Sequence, residues 1–423
     1  MPTPIFGTDL YNAVEVAPLE SAADDPGYPT QWFRVPHAGE TTKLERDSIP
    51  QSPEITSLGA LRVLDYGTGH WRGTIRTLIY YNARFMHLFL CHLCGGLEGL
   101  EINRMLNGGT PVGLLTNTHF YIPQSFKSNA VGSASAIPWG LAIRIYKMGP
   151  DNTAGSAHKI LRAFITEATF EFPETGWPTA LWTIEGPEPT LLSTSGITPI
   201  VADPLDYPVK PDDFGKAPAH PVLPSLSRAV AVIGGTRNLS SFSINVKNNL
   251  RYPRRSLTAY DTDYNIGHID NFEVTARFEA LLEQNELGVP GGGVYQGGIA
   301  PNVIPPGERR FRAISAPSGA AHSQQTPMID VTNNIPYGFE ISTPAAGFVE
   351  MQAPIDRGGA LLMRWSERWF QGTIPATLWP PSAAWKAPVI IAAQVLQTDE
   401  PANDTKFAST VEGGNVPHST LAG

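Results

Sequence analysis

The chain has 423 residues, of which 42% are hydrophobic and only 16% are charged, and its formal net charge is −9. This length is enough for two or three domains or for one large β assembly, and the acidic balance argues against a general nucleic-acid-binding protein. With 40 glycines and 39 prolines but no collagen-like repeat, the composition predicts a mainly β chain of many short strands joined by turns.

The cysteine content predicts a protein that folds in a reducing compartment, and the hydropathy pattern predicts neither a secretory signal nor a membrane span. Cys91 and Cys94 are the only cysteines, so no disulfide framework is expected. The N-terminal sequence shows neither the charged part nor the apolar part of a secretory signal. The most apolar run, residues 78–97, is interrupted by Arg84 and two histidines, which argues against membrane insertion.

The first 186 residues are predicted to form an arm and one β unit. Residues 1–55 are predicted to be an extended N-terminal arm with a few short strands, and residues 56–186 the first β unit. A helix is predicted over 74–94, where apolar residues recur at helical spacing between Thr74 as N-cap and Gly95 as the stop. The strands predicted in this unit are Ala60–Leu64, Gly113–Ile122, Gly140–Met148, Leu161–Phe172 and Ala180–Gly186.

A proline-rich segment, residues 187–225, is predicted to connect the first β unit to a second unit at residues 226–398. The polar tail, residues 399–423, is predicted to be flexible. The strands predicted in the second unit are Ala229–Val232, Leu239–Lys247, Phe272–Leu282, Pro327–Asn333, Tyr337–Thr343, Gly347–Gln352 and Ala387–Thr398.

Two segments of the second unit, Ser241–Lys247 and Phe272–Ala280, alternate strictly between apolar and polar residues. A period of two predicts half-buried antiparallel strands with one apolar and one polar face. The polar face carries Ser241, Ser243, Asn245, Glu273, Thr275, Arg277 and Glu279. Long two-faced strands of this kind are typical of a protein that builds surfaces, and they favour a structural role over catalysis.

The candidate metal sites in the sequence are weak. His87, Cys91 and Cys94 fall at helical spacing and could start a zinc site, but a structural site needs four ligands. The alternative, which we favour, is that they pack in the core. Residues 261–267 begin like a calcium loop, but Ile266 replaces the required glycine, which favours a polar turn. No metal and no cofactor are therefore predicted.

The other candidate sites also have structural interpretations that we favour. The Arg-rich pieces Arg251–Arg255 and Arg309–Arg312 could bind phosphate, but salt bridges between subunits or solvated loop charges fit an acidic chain better. Two tryptophan pairs could form a sugar-binding platform, although packing in the core or at a subunit contact is the favoured role: Trp177 with Trp182, and Trp365 with Trp369. The sequence contains no Gly-x-Ser-x-Gly or His-Glu-x-x-His motif, and we predict that the protein is not an enzyme.

The order of several blocks resembles the major tail tube proteins of long-tailed bacteriophages. Asp65–Leu93 is similar to the strand-to-helix segment of that family, and Ile165–Phe172 followed by Ala180–Gly186 is similar to its paired strands. Leu239–Leu250 and Asn271–Ala280 resemble the two alternating strands of the second half of the fold. The blocks span about two-thirds of the chain, and their order and spacing carry the resemblance.

The resemblance implies antiparallel β-sandwich or barrel units with a flanking α-helix, assembled into stacked trimeric or hexameric rings. The inner strands would form one tube, whose lumen passes the tape-measure protein and, at genome ejection, phage DNA without specific binding. The seven polar-face residues are the candidates for this tube, and the acidic chain predicts a lumen of net negative charge. Such a protein is made in the cytoplasm of the host bacterium and is located in the virion.

The extended segments are predicted to contact neighbouring subunits, because they cannot form a core of their own but can bury apolar side chains on a neighbour. The residues predicted for these contacts are Phe6, Trp32, Phe33 and Phe214. Two alternatives remain open at the level of function. One is a carbohydrate-binding or carbohydrate-active β protein of a tail tip or cell surface, and the other is a different virion protein such as a capsid or decoration protein.

Overall fold

The structure of the chain is a computed structural model. It describes residues 11–18, 33–35, 37, 39–50, 64–79, 84–94, 102–103, 116–121, 123, 141–148, 155–174, 177–187, 190–192, 229–233, 236–237, 239–251, 268–269, 271–281, 307–315, 337–352, 362–373 and 386–396. Several sequence predictions lie outside these residues: the contact residues Phe6, Trp32 and Phe214, the calcium-like segment 261–267, the strand Pro327–Asn333 and the tail 399–423.

The described chain is mainly β, as predicted, with one α-helix, α1 (Arg84–Leu93). The strands of the N-terminal half are β1 (Tyr11–Pro18), β2 (Phe33–Val35), β3 (Gly39–Pro50), β4 (Leu64–Leu78), β5 (Ile102–Asn103), β6 (Thr116–Tyr121), β7 (Leu141–Met148), β8 (Gly155–Phe172), β9 (Thr179–Pro187) and β10 (Thr190–Leu192). Those of the C-terminal half are β11 (Ala229–Ile233), β12 (Thr236–Arg237), β13 (Leu239–Lys247), β14 (Leu250–Arg251), β15 (His268–Ile269), β16 (Glu273–Leu281), β17 (Gly307–Ser315), β18 (Tyr337–Gln352), β19 (Leu362–Trp369), β20 (Gly372–Thr373), β21 (Lys386–Ala387) and β22 (Ile390–Leu396).

Eighteen of the strands belong to one sheet, and every pairing among the described strands in it is antiparallel. Its central run of neighbours is β3–β4–β9–β8–β13–β16–β19–β18. Beyond this run, β18 also pairs with β22, which continues the sheet to β6 and β5. The pairing of β8 with β13 joins strands on either side of the predicted connector, residues 187–225. Strands of the two predicted β units are therefore hydrogen-bonded neighbours in a single sheet.

The predicted helix over 74–94 is wrong in its first half. Residues up to Leu78 belong to β4, which pairs with β9 along its length, and α1 begins only at Arg84. Ile75 and Leu78 fit a helical spacing, but Trp71 and Ile75 also alternate with exposed arginines at the strand period of two. The partner strand, which the sequence alone does not show, decides between the two patterns. Within the described residues no helix is long and apolar enough to cross a bilayer.

The apolar face of the central strands forms the core around aromatic rings. Phe172 and Phe242 stack with their ring centroids 4.3 Å apart. Phe278 of β16 stacks on Phe311 of β17 at 4.7 Å, although these two strands are not paired. Helix α1 closes another part of the core, where Phe89 meets Trp182 edge-to-face at 5.2 Å.

The segment predicted as an N-terminal arm contributes strands to the sheet of its own chain. Val14 and Val16 of β1 are fully buried, and β1 pairs with β7 over eight residues. Strand β3 pairs with β4, and Phe33, a predicted subunit-contact residue, lies in β2 opposite Val16. The short strands predicted in the arm are present, and β1 is part of the core.

Candidate functional site

The two strands predicted to form the tube, β13 and β16, are direct neighbours. Their register places Ser243 opposite Arg277 and Asn245 opposite Thr275. Between these polar residues, the side chains of Phe242, Ile244, Val246, Val274, Ala276 and Phe278 are buried. The structure therefore places all seven predicted residues on one face of the paired strands: Ser241, Ser243, Asn245, Glu273, Thr275, Arg277 and Glu279.

This arrangement continues across six strands, β4, β9, β8, β13, β16 and β19, whose side chains on this side of the sheet are here called the polar face. One row of the polar face runs from Arg76 of β4 across Thr169 and Asn245 to Arg368 of β19. Because residues directly opposite each other in antiparallel strands share a face, the registers fix which side chains meet. The polar face is thus assembled from six separate segments of the sequence.

Ion pairs connect neighbouring strands of the polar face. Four arginines each lie near a glutamate: Arg72 Nε and Glu185 Oε1 at 3.5 Å, Arg76 Nη2 and Glu171 Oε2 at 3.6 Å, Arg364 Nε and Glu279 Oε2 at 2.6 Å, and Arg368 Nη2 and Glu273 Oε1 at 2.9 Å. All four arginine side chains are largely exposed, and exposed pairs of this kind contribute about 0–1 kcal/mol each. Their main effect is to neutralise the face locally and to disfavour a shifted register.

Asn245 ties β13 to β8 at the centre of the face. Its Nδ2 donates to Glu167 Oε1 at 2.6 Å and to Thr169 Oγ1 at 2.8 Å. On the far side of β8, Thr179 Oγ1 donates to Glu171 Oε2 at 3.2 Å. These side-chain bonds hold the central carboxylates in place and leave them less available to an outside ligand.

The described side chains of the polar face carry nearly balanced charge, although the chain as a whole is acidic. With the exposed Glu350 of β18, which lies opposite Ser366, the side chains that the structure describes on this face include six basic and six acidic ones. The basic residues are Arg72, Arg76, Lys247, Arg277, Arg364 and Arg368, and the acidic residues are Glu167, Glu171, Glu185, Glu273, Glu279 and Glu350. The acidic excess of the chain therefore does not lie on this face.

A groove of about 750 Å³ lies at one end of the polar face. Ser241, Ser243, Arg277 and Ser366 contribute to its lining, and the exposed Val349 of β18 is at its border. Four glutamates also line it: Glu171, Glu279, Glu350 and the buried Glu367. Hydroxyl groups, the guanidinium groups of Arg277 and Arg364, and carboxylates provide hydrogen-bond donors and acceptors in the groove.

The predicted zinc alternative receives no support from the described part of α1. Cys94 is fully buried and burial raises the pKa of its thiol, as expected for a core residue. Burial also lowers the pKa of His92 to about 3. His87 and Cys91 lie in α1 with side chains outside the described set, and no group of three possible metal ligands occurs elsewhere in the described ranges.

Three of the four tryptophans considered for a sugar platform are core residues. Trp182, Trp365 and Trp369 are buried, whereas Trp177 is 53% exposed. Neither predicted pair therefore presents two exposed rings. The Arg-rich piece Arg309–Arg312 lies within β17, in hydrogen-bonded register with β18, and is therefore not a solvated loop, which was one of its two structural interpretations.

A buried ionic cluster between β1 and β7 was missed by the sequence analysis. Arg144 Nη1 lies 3.6 Å from Glu15 Oε2, and both side chains are almost completely buried. Burial, followed by the negative charge of Glu15, raises the pKa of the neighbouring Tyr146, and Arg144 partly offsets this. The sequence does show a charged residue near the centre of each of two apolar segments, Glu15 and Arg144. Only the strand register shows that these two residues lie opposite each other.

No protein-family model matches the chain, and a search of curated proteins finds no significantly similar sequence. Inferences about its function therefore rest on the residues and geometry described above.

Proposed function

We propose that the chain is the structural subunit of a tail tube of a long-tailed bacteriophage. In this proposal the strands form a sandwich or barrel, and the copies assemble into stacked trimeric or hexameric rings in the virion. The order of the sequence blocks supports the proposal, because the segments that resemble the family's paired strands, β8, β9, β13 and β16, are neighbours in one sheet.

The observation that carries the proposal is the polar face, since a tube needs a wide sheet with one apolar and one hydrated side. Six adjacent strands supply it, with β13 and β16 near its centre. The apolar side binds the rest of the subunit, and the polar side would line the lumen. Nearly balanced charge gives such a lumen no net attraction for phosphates, so DNA that follows the tape-measure protein through it would pass without being held.

The two ends of the central run of strands provide a route to ring closure. At one end β3 pairs only with β4 among the described strands, and at the other end Gly347–Gln352 of β18 pairs only with β19. Exposed strand edges are templates for pairing with another chain. Pairing β3 of one subunit with Gly347–Gln352 of the next is a head-to-tail contact, which generates a ring when the rotation closes.

Electron microscopy of the purified chain tests the assembly. Negative-stain images should show rings or tubes with a central lumen, and the same images distinguish a tube from the shell fragments or isolated knobs expected of a capsid or decoration protein. Monomers alone at high protein concentration would contradict the proposal. A glycan array addresses the carbohydrate alternative, which the burial of Trp182, Trp365 and Trp369 does not favour.

Disulfide trapping tests the pairing of the two edges. Under mild oxidation, the double variant with Thr41→Cys in β3 and Glu350→Cys in β18 should form cross-linked oligomers, because each disulfide joins two subunits. The largest of these oligomers should contain as many subunits as one ring. The single variants should give no species larger than a dimer. A scan of neighbouring positions in both strands that yields no oligomers, although rings are visible, would show that other edges form the contact.

A further inference from the structure

Arg277 differs from the other arginines of the polar face because no carboxylate engages it. Arg72, Arg76, Arg364 and Arg368 each lie within 4 Å of a glutamate, whereas Arg277 forms no hydrogen bond or ion pair with another described residue. The register explains the difference: the residues directly opposite Arg277 are Ser243 and Ser366.

Lys247 provides a useful comparison on the same face. It also lacks an ion pair among the described residues, but its two cross-strand neighbours are Glu167 and Glu273. A basic residue between two carboxylates is already compensated by their field at about 5 Å. Arg277 has no carboxylate directly opposite it, and the nearest glutamate along its own strand, Glu279, is paired with Arg364. Its guanidinium is therefore exposed to solvent without a carboxylate partner among the described residues.

Within the groove, hydroxyl groups and an apolar side chain lie near the charge of Arg277. Arg277 is exposed in the groove between the hydroxyl groups of Ser243 and Ser366, and Val349, 61% exposed, lies at the border. A guanidinium binds a carboxylate through two parallel N–H bonds, and serine hydroxyls can bond the backbone beside it. The combination fits an extended segment with a carboxylate, flanking peptide groups and a small apolar contact.

The charges on either side of Arg277 select against a polyanion. Glu171 and Glu350 lie in the same cross-strand row, each two strands away, at about 10 Å. A nucleic acid carries a negative charge at every nucleotide, so a phosphate on Arg277 would bring its neighbours towards one of these glutamates. A polypeptide with one isolated carboxylate avoids this repulsion.

We propose that the groove binds an extended polypeptide segment of another protein through one isolated carboxylate side chain that pairs with Arg277. The inference concerns the single chain and goes beyond its proposed role in a tube. Ser243 and Ser366 bond the backbone of the segment on either side of the carboxylate, and Val349 contacts an adjacent apolar side chain.

The test compares two pools of nonapeptides, random except for a central Glu in one pool and a central Gln in the other. Fluorescence anisotropy with the full chain should give at least about tenfold tighter binding for the Glu pool, since a charge-assisted bond is lost with Gln. Arg277→Gln should remove this preference. Arg277→Glu should instead prefer a third pool, which has Lys at the central position. Circular dichroism checks that the variants remain folded.

The matched control is Arg368→Gln, because Arg368 lies on the same face, outside the groove lining, and is paired with Glu273. This variant should keep the preference for the Glu pool. Equal affinity for both pools, no binding of either, or a preference that survives Arg277→Gln would overturn the proposal. Binding of oligothymidylate that is lost in Arg277→Gln would also overturn it and would assign the groove to nucleic acid.

Discussion

Asn248 joins three parts of the fold through a single buried side chain. Its Nδ2 donates to the carbonyl oxygens of Leu93 at 3.1 Å and Ile165 at 2.8 Å, and its backbone N–H donates to Thr166 O at 3.1 Å. It therefore fixes the end of α1 against the irregular part of β8 just after β13 ends. Such a residue is structural, and a sequence that reads Lys-Asn-Asn gives no sign of which asparagine is buried.

Replacing Asn248 with Ala should lower the free energy of unfolding by about 2–4 kcal/mol, because two buried carbonyl groups lose their donor. Urea unfolding followed by circular dichroism measures the loss. Asn249→Gly is the matched control, since Asn249 has a positive φ of 48° that Gly accepts and makes only one exposed bond, to Asn271 O. Equal losses in the two variants would contradict the role of Asn248.

His92 should make the stability of the protein depend on pH. Burial lowers its pKa from 6.5 to about 3, so the unfolded state binds a proton in this range that the folded state excludes. Stability is therefore full above pH 6.5 and falls as the pH is lowered, by up to about 1.4 kcal/mol per pH unit from this residue. His92→Phe should flatten the curve between pH 6.5 and 5, where few carboxylates titrate. Parallel curves for both proteins would refute the assignment.

At the scale of elements, the sequence predicts strands well where alternation is complete. Leu239–Lys247 is correct at both ends, and Phe272–Leu282 differs from β16 by one residue at each end. Alternation fails as a guide for β19, where Glu367 is buried between Trp365 and Trp369, and that strand was not predicted. A buried charge breaks the pattern, and only the partner strands show that the segment is extended.

Two further differences between the predicted and the observed strands also arise from pairing with partner strands. Tyr337–Thr343 and Gly347–Gln352, predicted as two strands, form the single strand β18, whose first part pairs with β17 and β22 and whose last part pairs with β19. Strand β17 carries three arginines, for which a solvated loop was one of two structural interpretations. In both cases tertiary pairing overrides a local signal for a turn or a loop.

Gly186 marks a close approach between β9 and β8. A Cβ at this position would lie 2.8 Å from Ile160 Cγ2 and 3.3 Å from the backbone of Ala163. Gly186→Ala should therefore destabilise the protein by about 1–3 kcal/mol through overpacking. Combining it with Ile160→Val, which removes one methyl group, should recover part of the loss.

Gly347→Ala is the control for this experiment. Its Cβ would meet Phe370 Cε2 at 2.7 Å, but Phe370 is half exposed and its ring can move. Thermal unfolding of the variants should show a clear decrease for Gly186→Ala and little change for Gly347→Ala. The opposite order would show that the contact between β8 and β9 is looser than described.

At the scale of the whole molecule, β1 of the N-terminal segment belongs to the folded core. Deleting residues 1–18 removes β1, which buries Val14 and Val16 and pairs with β7, and it leaves Arg144 without its partner Glu15. Leaving a buried charge unpaired costs about 3–5 kcal/mol in addition to the lost apolar contacts. We expect this truncated chain to be largely insoluble or to unfold at a much lower temperature.

Deleting only residues 1–10, which precede β1, is the control and should leave the unfolding temperature within a few degrees of that of the full chain. Differential scanning fluorimetry of both truncations makes the comparison. A stable, cooperatively unfolding chain without residues 1–18 would restore the interpretation of this region as an arm that serves neighbouring subunits.

The two open ends of the central sheet have a consequence for assembly in the proposed ring. Because β3 and Gly347–Gln352 are different sequences, each subunit behaves as a bifunctional monomer with one head and one tail. A copy with only one end blocked can still join a growing oligomer, and it then terminates growth at that point. In a hexameric ring, even a small fraction of such copies would prevent many rings from closing. A defect at one edge would therefore have a dominant-negative effect on wild-type protein in the same cell.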